Sequence, residues 1–274
     1  MITARRSLHL LVTTLGLSVV LCGAHAATPV PEVALDALTS PELVARINGG
    51  STTILLPIGG TEQNGPYMTL GKHNARVVEL ATRIAQRLGN AIVAPVIAYV
   101  PEGSIAPPTQ HMRYAGTISV PVPVFEATLE SAARSFRAAG FKDIVFLGDH
   151  GGYQPSLARV AARLDKEWSA SAVRVHAMPD YYRASSSAWN RTLQARGYSA
   201  AEIGLHAGLA DTALSMAATP WVVRADALHR ARQPAAGRGV QGDPARANAE
   251  LGALGVDAIV TATVMAIQQA VARH

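Results

Sequence analysis

Thr53-Ile54-Leu55-Leu56-Pro57-Ile58-Gly59-Gly60 sets the fold class, because its apolar run reads as a buried strand that stops in a glycine turn. Downstream, Val77, Leu80, Ala81, Ile84 and Leu88 recur at helical spacing and predict a helix over 74–88, which Gly89-Asn90 stops. A strand over 91–96 follows. The alternation then repeats: a helix over 124–139 carrying Phe125, Leu129 and Phe136, Gly140 as its stop, a strand over 143–147, a helix over 156–168 and a strand over 172–176. Strands alternating with helices of this length imply a largely parallel sheet covered on both faces, within one α/β domain.

In such sheets ligands sit beyond the carboxyl ends of the strands, so the loops after Ile58 and Leu147 are the places to seek chemistry. Both lead to histidines. The last long segment, 244–274, opens on Asp243-Pro244, which predicts a cap followed by proline in the first helical turn. Glu250, Asp257 and Gln268-Gln269 interrupt its apolar surface, so it reads as a buried or interface helix rather than a membrane span.

Before any of this, Arg5 and Arg6 precede an apolar run from Leu8 to Cys22 and then Ala24-His25-Ala26, the order of a signal peptide over residues 1–26. The expectation is a periplasmic or secreted protein with no membrane contact after cleavage, and a mature domain over 27–274. Leu21 ahead of Cys22 argues against lipidation, and Arg5-Arg6-Ser7-Leu8 leaves twin-arginine export open beside the general route. Cleavage removes the one cysteine, so stability must come from a core and not from disulfides. A composition of 49% hydrophobic and 16% charged residues suits a well-buried globule. The net charge of +5 falls to +3 without Arg5 and Arg6, and there is no basic run interleaved with aromatics, so a nucleic-acid partner is not expected.

Three segments pair metal-capable side chains with glycine. They are Glu62-Gln63-Asn64-Gly65-Pro66 with Gly71-Lys72-His73-Asn74, then Gly148-Asp149-His150-Gly151-Gly152, then His206-Ala207-Gly208 with Asp211. Imidazole and carboxylate suit zinc and other first-row divalent ions. Taken singly, Glu62 reads equally as a solvated loop residue, His73 as a helix-start imidazole, His206 as a loop histidine and Asp211 as a helix cap. His150 stands apart, because it directly follows a buried strand.

Together these segments resemble the creatininase family. Pro57-Ile58-Gly59-Gly60-Thr61-Glu62-Gln63-Asn64-Gly65-Pro66 is similar to its pattern PxGSxEQHGPHLPLGTD, and Thr117-Ile118-Ser119 after His111 and Gly116 to HxxFPGTIS. Gly148 to Gly152 stands where the family has NGHGG, His206 to Asp211 where it has HAGxxE, and Gly239 to Pro244 where it has GVxGDP. The resemblance implies a three-layer α/β/α sandwich, hydrolysis of amide C–N bonds in small, often cyclic molecules, one or two divalent metals, and a homo-oligomer, commonly a hexamer. Carried over by position, it makes Glu62 and His150 metal ligands, Asp211 a carboxylate that binds metal in many members, and His206 a histidine near substrate.

Asn64 stands where the family has histidine, and His73 where it has the aspartate that bridges two ions. A neutral imidazole offers one lone pair where a bridging carboxylate offers two oxygens, so one ion is expected rather than two. The expected metal ligands are Glu62, His73, His150 and Asp211, with zinc first and iron or manganese as alternatives. Asp149, Tyr153 and Asp211 replace family glycine, asparagine and glutamate, which suggests a reshaped pocket. In the expected mechanism His206 protonates the departing nitrogen and Asp211 binds metal or serves as base. His111, Arg113, Tyr114 and Tyr153 line the substrate side. The rival reading is a catalytically silent member that binds a small periplasmic ligand. A serine hydrolase is set aside because no G-x-S-x-G elbow occurs.

Overall fold

The computed structural model describes residues 32–230 and 239–273, and the expected signal peptide lies outside them. The described chain runs α1 (Ser40–Asn48), β1 (Thr53–Ile58), α2 (Lys72–Leu88), β2 (Ala91–Val93), α3 (Val122–Ala139), β3 (Asp143–Gly148), α4 (Gln154–Glu167) and β4 (Arg174–Ala177). Shorter helices follow: α5 (Pro179–Arg183), a π-helical turn (Ala184–Ala188), α6 (Trp189–Ala195), α7 (Ala200–Ile203), α8 (Leu209–Ala218) and α9 (Ala225–Arg230), before the long α10 (Ala249–Val271).

The four strands form one parallel sheet in the order β2-β1-β3-β4. All six residues of β1 are buried. Successive side chains point to opposite faces. Ile54, Leu56 and Ile58 therefore enter the core shared with Phe125 and Leu129 of α3 and Leu157, Val160 and Leu164 of α4. Leu55 turns the other way, toward Val77, Leu80 and Ile84 of α2 and the residues of α8 and α10. A strand buried on both faces reads as a continuous apolar run, which is why the stretch 53–58 is legible. Two helical layers thus enclose the sheet, the α/β/α sandwich expected.

α10 is long and apolar enough to cross a membrane by length and composition. In the fold, Leu251, Val256, Ile259, Val260 and Ile267 are buried in the same core as α8. Gly252 permits the close crossing, since a Cβ there would lie 1.8 Å from the Ala213 carbonyl oxygen.

Two boundaries differ from expectation. β2 ends at Val93 rather than at residue 96, because Pro95 has no N–H to give; Ala94 and Ile97 still bond the carbonyls of Leu55 and Pro57. Asp243 does not cap the last helix. Its Oδ1 accepts from the Ala245 N–H in a local turn, and α10 starts at Ala249, capped by Asn248, whose Oδ1 accepts from the Leu251 N–H at 2.8 Å.

After β1 the chain turns to β2 on one side, while β3 lies on the other. The loops leaving β1 and β3 therefore part at their carboxyl ends and open a crevice, the place where an open α/β sheet binds ligands.

Candidate metal centre

Glu62 leaves β1 through Gly59-Gly60. Gly60 has φ +145°, and a Cβ there would lie 2.6 Å from a Glu102 carboxylate oxygen, so only glycine lets that side chain approach. Glu102 comes from the loop beyond β2, and Ser119 Oγ accepts its backbone N–H at 3.0 Å. His111 lies on a short 3-10 turn, Gln110–Arg113, whose carbonyl at His111 accepts from the Thr117 hydroxyl. His150 follows β3. Tyr153 fixes the junction of the two strand ends: its hydroxyl accepts the N–H groups of Asp149 and His150 and lies 2.7 and 2.6 Å from the carbonyls of Ile58 and Gly59.

One ligand atom from each of Glu62, Glu102, His111 and His150 lies within 4.8 Å of all the others. Glu62 Oε2 is 3.2 Å from His111 Nε2 and 3.8 Å from His150 Nε2, which is itself 3.8 Å from Glu102 Oε2. Both glutamates are buried, yet Glu62 Oε2 and both Glu102 oxygens have no hydrogen-bond partner. Leaving such a group unpaired in the interior costs several kcal/mol, on the order of the penalty for a buried ion.

Burial and the neighbouring Glu62 charge push Glu102 up to about 8. Burial alone would raise Glu62 as well, but His73 and Lys72 reverse the shift and hold it ionised. Burial and the charge of His73 bring His150 down to about 4, and burial lowers His111. Both imidazoles are therefore neutral near pH 7; Nδ1 of His150 accepts the Gly152 N–H and Nδ1 of His111 faces the Gln63 amide nitrogen, while both Nε2 atoms face the carboxylates. Two carboxylates and two neutral imidazoles with orphaned oxygens fit a first-row divalent ion.

Several expected residues are placed otherwise. His73 converges on Glu62 and His150, but both its ring nitrogens are engaged: Nδ1 lies 2.6 Å from Asp149 Oδ2 and Nε2 2.7 Å from Glu62 Oε1. Burial opposes its charge, yet the two carboxylates raise its pKa, and both of its nitrogens face carboxylate oxygens. It orients Glu62. Asp211 accepts from Lys72 Nζ at 3.1 Å, Arg76 at 2.9 Å and the Ala207 N–H at 2.9 Å. Despite burial, those two cations hold it well below the usual carboxylate range, so it is ionised and a poor base, and it stands outside the group whose ligand atoms converge.

The His206 Nε2–H donates to the Gln63 carbonyl at 2.8 Å, and burial followed by the Lys72 charge keeps the ring at about 4. In the metal-free protein the ring therefore carries no extra proton near pH 7. Tyr153 is a buried clamp rather than a substrate contact. Arg113 and Tyr114 are exposed and lie outside the cavity walls. His111 belongs with the metal group.

Glu102, Lys72 and Arg76 were not anticipated. Glu102 carries the signal that nominated Glu62, a carboxylate on a loop beyond a strand's carboxyl end. Arg76 sits on the buried stripe of α2 with Val77 and Leu80, and a charge on such a stripe marks a paired interior group. Its guanidinium binds Asp149 at 2.8 Å as well as Asp211.

A cavity of about 240 Å³ adjoins the group, lined by His111, His150 and Asp211 together with Tyr182, Ser185 and Asn190. Ser185 lies on the π-helical turn, a distortion frequent at functional sites.

Comparison with known proteins agrees with this architecture. Residues 36–267 match the family model described as creatinine amidohydrolase. A crystal structure of creatinine amidohydrolase superposes with a TM-score of 0.71 at 22% identity, covering 87% of this chain and 97% of that one. A manganese form of creatininase does so with the same score and identity, covering 87% and 98%. A mutant creatininase of zinc–zinc type gives 0.69 at 22% identity, again covering 87% and 98%. At these identities the likeness is one of fold. Among curated proteins, the mycofactocin precursor peptide peptidase of Mycolicibacterium smegmatis is 31% identical over 119 residues, 42% of this chain and 45% of that protein. The 3-dehydro-scyllo-inosose hydrolase of Thermotoga maritima is 28% identical over 99 residues, 36% of this chain and 30% of that one. The matches thus span half or less of these curated relatives. With the family model covering most of its length, the chain belongs to the creatininase family of amidohydrolases.

Proposed function

We propose that the protein hydrolyses a C–N bond of a small polar amide, cyclic for preference, using one divalent ion held by Glu62, Glu102, His111 and His150. Zinc is the first choice, with manganese and iron as alternatives. The observation that carries this reading is the set of three orphaned carboxylate oxygens facing two imidazoles that burial keeps unprotonated. When bound, the ion supplies Lewis acidity toward the amide carbonyl and lowers the pKa of a water.

The chain's own groups supply the rest. Glu102 has two unpartnered oxygens, so one can ligate while the other takes a proton from the attacking water and passes it to the leaving nitrogen. The C–N bond breaks, the water's hydroxyl ends on the acyl carbon and its proton on nitrogen. His73 holds Glu62 in place through its 2.7 Å contact. Ser185 and Asn190 offer hydroxyl and amide partners for a polar substrate in a cavity of about 240 Å³. The names of the curated relatives favour, as a second reading, the end of a peptide entering the same cavity. The N-terminal pattern supports export, to the periplasm or beyond the cell, and family resemblance supports a homo-oligomer.

The test is turnover of lactams, hydantoins, formamides and short peptides by chelator-stripped and zinc-restored protein. Turnover that chelator abolishes and zinc restores is expected. Equal rates in both forms would remove the metal from the mechanism, and zinc-loaded protein that binds these compounds without turning any over would favour the silent reading.

A further inference from the structure

Tyr153, Tyr181 and Tyr182 flank the loop that leaves β3, and two of the three hydroxyls are committed. Tyr153 Oη accepts the N–H groups of Asp149 and His150 and faces the carbonyls of Ile58 and Gly59. Tyr181, fully buried, donates to Asp149 Oδ1 at 2.8 Å. Tyr182 differs. It lines the cavity with His150 and Asp211, and its hydroxyl makes no hydrogen bond among the described residues. A Cβ on Gly151 would lie 2.5 Å from that hydroxyl oxygen, so glycine directly after His150 is what lets the phenol sit against this loop. The Tyr182 backbone is pinned where the helix widens into the π turn: the Ser185 and Ser186 hydroxyls donate to its carbonyl at 3.1 and 2.5 Å. Both serines thus present lone pairs rather than hydrogens, which an oxyanion does not accept.

Burial, and then the charges of Asp211 and Asp149, push the phenol above its ordinary value, so it keeps its proton at neutral pH and has an O–H to give. We propose that Tyr182 is a catalytic residue whose hydroxyl donates a hydrogen bond to the oxygen of the scissile carbonyl as negative charge gathers there. The inference rests on the amide hydrolysis proposed above and adds to it a protein donor for that oxygen. As the water oxygen bonds to the acyl carbon, the π pair of the carbonyl moves onto its oxygen. The phenol holds that charge without giving up its proton. The pair returns as the C–N bond breaks and the nitrogen leaves with the proton that Glu102 delivers.

The test uses the full zinc-restored protein and whichever compound of the panel above turns over. Tyr182→Phe is expected to lower kcat on the order of 100-fold, with zinc content unchanged and KM within about threefold of wild type. Gly151→Ala, which drives the phenol from its seat, is expected to reproduce that loss, and the double variant to lose no more than either alone. A kcat for Tyr182→Phe equal to wild type, a loss confined to KM, or losses that multiply in the double variant would overturn the proposal. Methylphosphonate, a tetrahedral oxyanion, gives a reading that needs no turnover: calorimetry on zinc-loaded protein should return a Kd about 10–100-fold higher for Tyr182→Phe. An unchanged Kd would overturn the proposal as well. Zinc-loaded wild type that neither turns over any panel compound nor binds methylphosphonate would remove the hydrolytic reading and this inference with it, a result distinct from a kcat untouched by substitution.

Discussion

Glu102→Gln should stabilise the metal-free protein while weakening its hold on zinc. In the absence of metal, burial and Glu62 raise the Glu102 carboxyl from 4.5 to about 8. The unfolded chain releases that proton near pH 4.5 and the folded chain retains it, so from there to about pH 8 the group makes stability fall as pH rises. The slope is about 1.4 kcal/mol per pH unit. Below pH 4.5 the carboxyl is protonated in both states and contributes nothing to the trend. At pH 7 the accumulated loss is on the order of 3 kcal/mol, which a neutral amide of the same shape does not suffer. For a domain of this size that corresponds to a melting temperature higher by roughly 6–12 °C in the variant.

His150 and His206, both lowered to about 4, act in the opposite direction. They are neutral when folded and protonated when unfolded between about pH 4 and 6.5, so they make stability rise with pH there. The difference curve between variant and wild type cancels them and isolates Glu102. The assay is thermal or urea denaturation of chelator-treated protein from pH 5 to 8, repeated with zinc. Zinc at a thousand times its Kd adds about 4 kcal/mol to the wild type, and less to the variant. Metal-free Glu102→Gln no more stable than wild type at pH 7–8, or a difference between them that does not grow with pH, would rule out a buried carboxyl titrating at this position.

Zinc retention separates ligand from support: His150→Ala should lose the ion, whereas His73→Gln should keep it with affinity reduced about 10–100-fold, as read by competition with a chromogenic chelator. Arg76→Met leaves Asp149 and Asp211 without their shared guanidinium, and urea denaturation should record a loss of about 3–5 kcal/mol. Tyr153→Phe removes the hydroxyl that joins the ends of β1 and β3; a loss of about 1–3 kcal/mol in the same assay is expected, with zinc still bound. Gly252→Ala places a methyl 1.8 Å from the Ala213 carbonyl oxygen, so α10 must shift, and a loss of roughly 1–3 kcal/mol should appear as a lower melting temperature.

The sheet was legible where local pattern and tertiary burial agree. Thr53–Ile58 and the helices of α2 and α3 follow from apolar runs and spacing, within two residues at each end. The start of α10 was not legible, because Asp243 and Asn248 are both good capping residues and a local turn decides between them. Glu62 and His150 were readable as groups beyond strand ends. The role of His73 was not, since whether an imidazole offers a lone pair or an N–H depends on its partners. One of them, Asp149, is 76 residues away in sequence. Lys72 and Arg76 owe their roles to Asp211, 139 and 135 residues away, a pairing that no local spacing reports.

The position of the ion can be read from an anomalous-scattering map of zinc-loaded crystals collected at the zinc edge. One peak per chain is expected, in contact with Glu62, Glu102, His111 and His150, with His73 still hydrogen-bonded to Asp149. A peak ligated by His73 or by Asp211 in the wild type, or the absence of a peak among those four side chains, would contradict it.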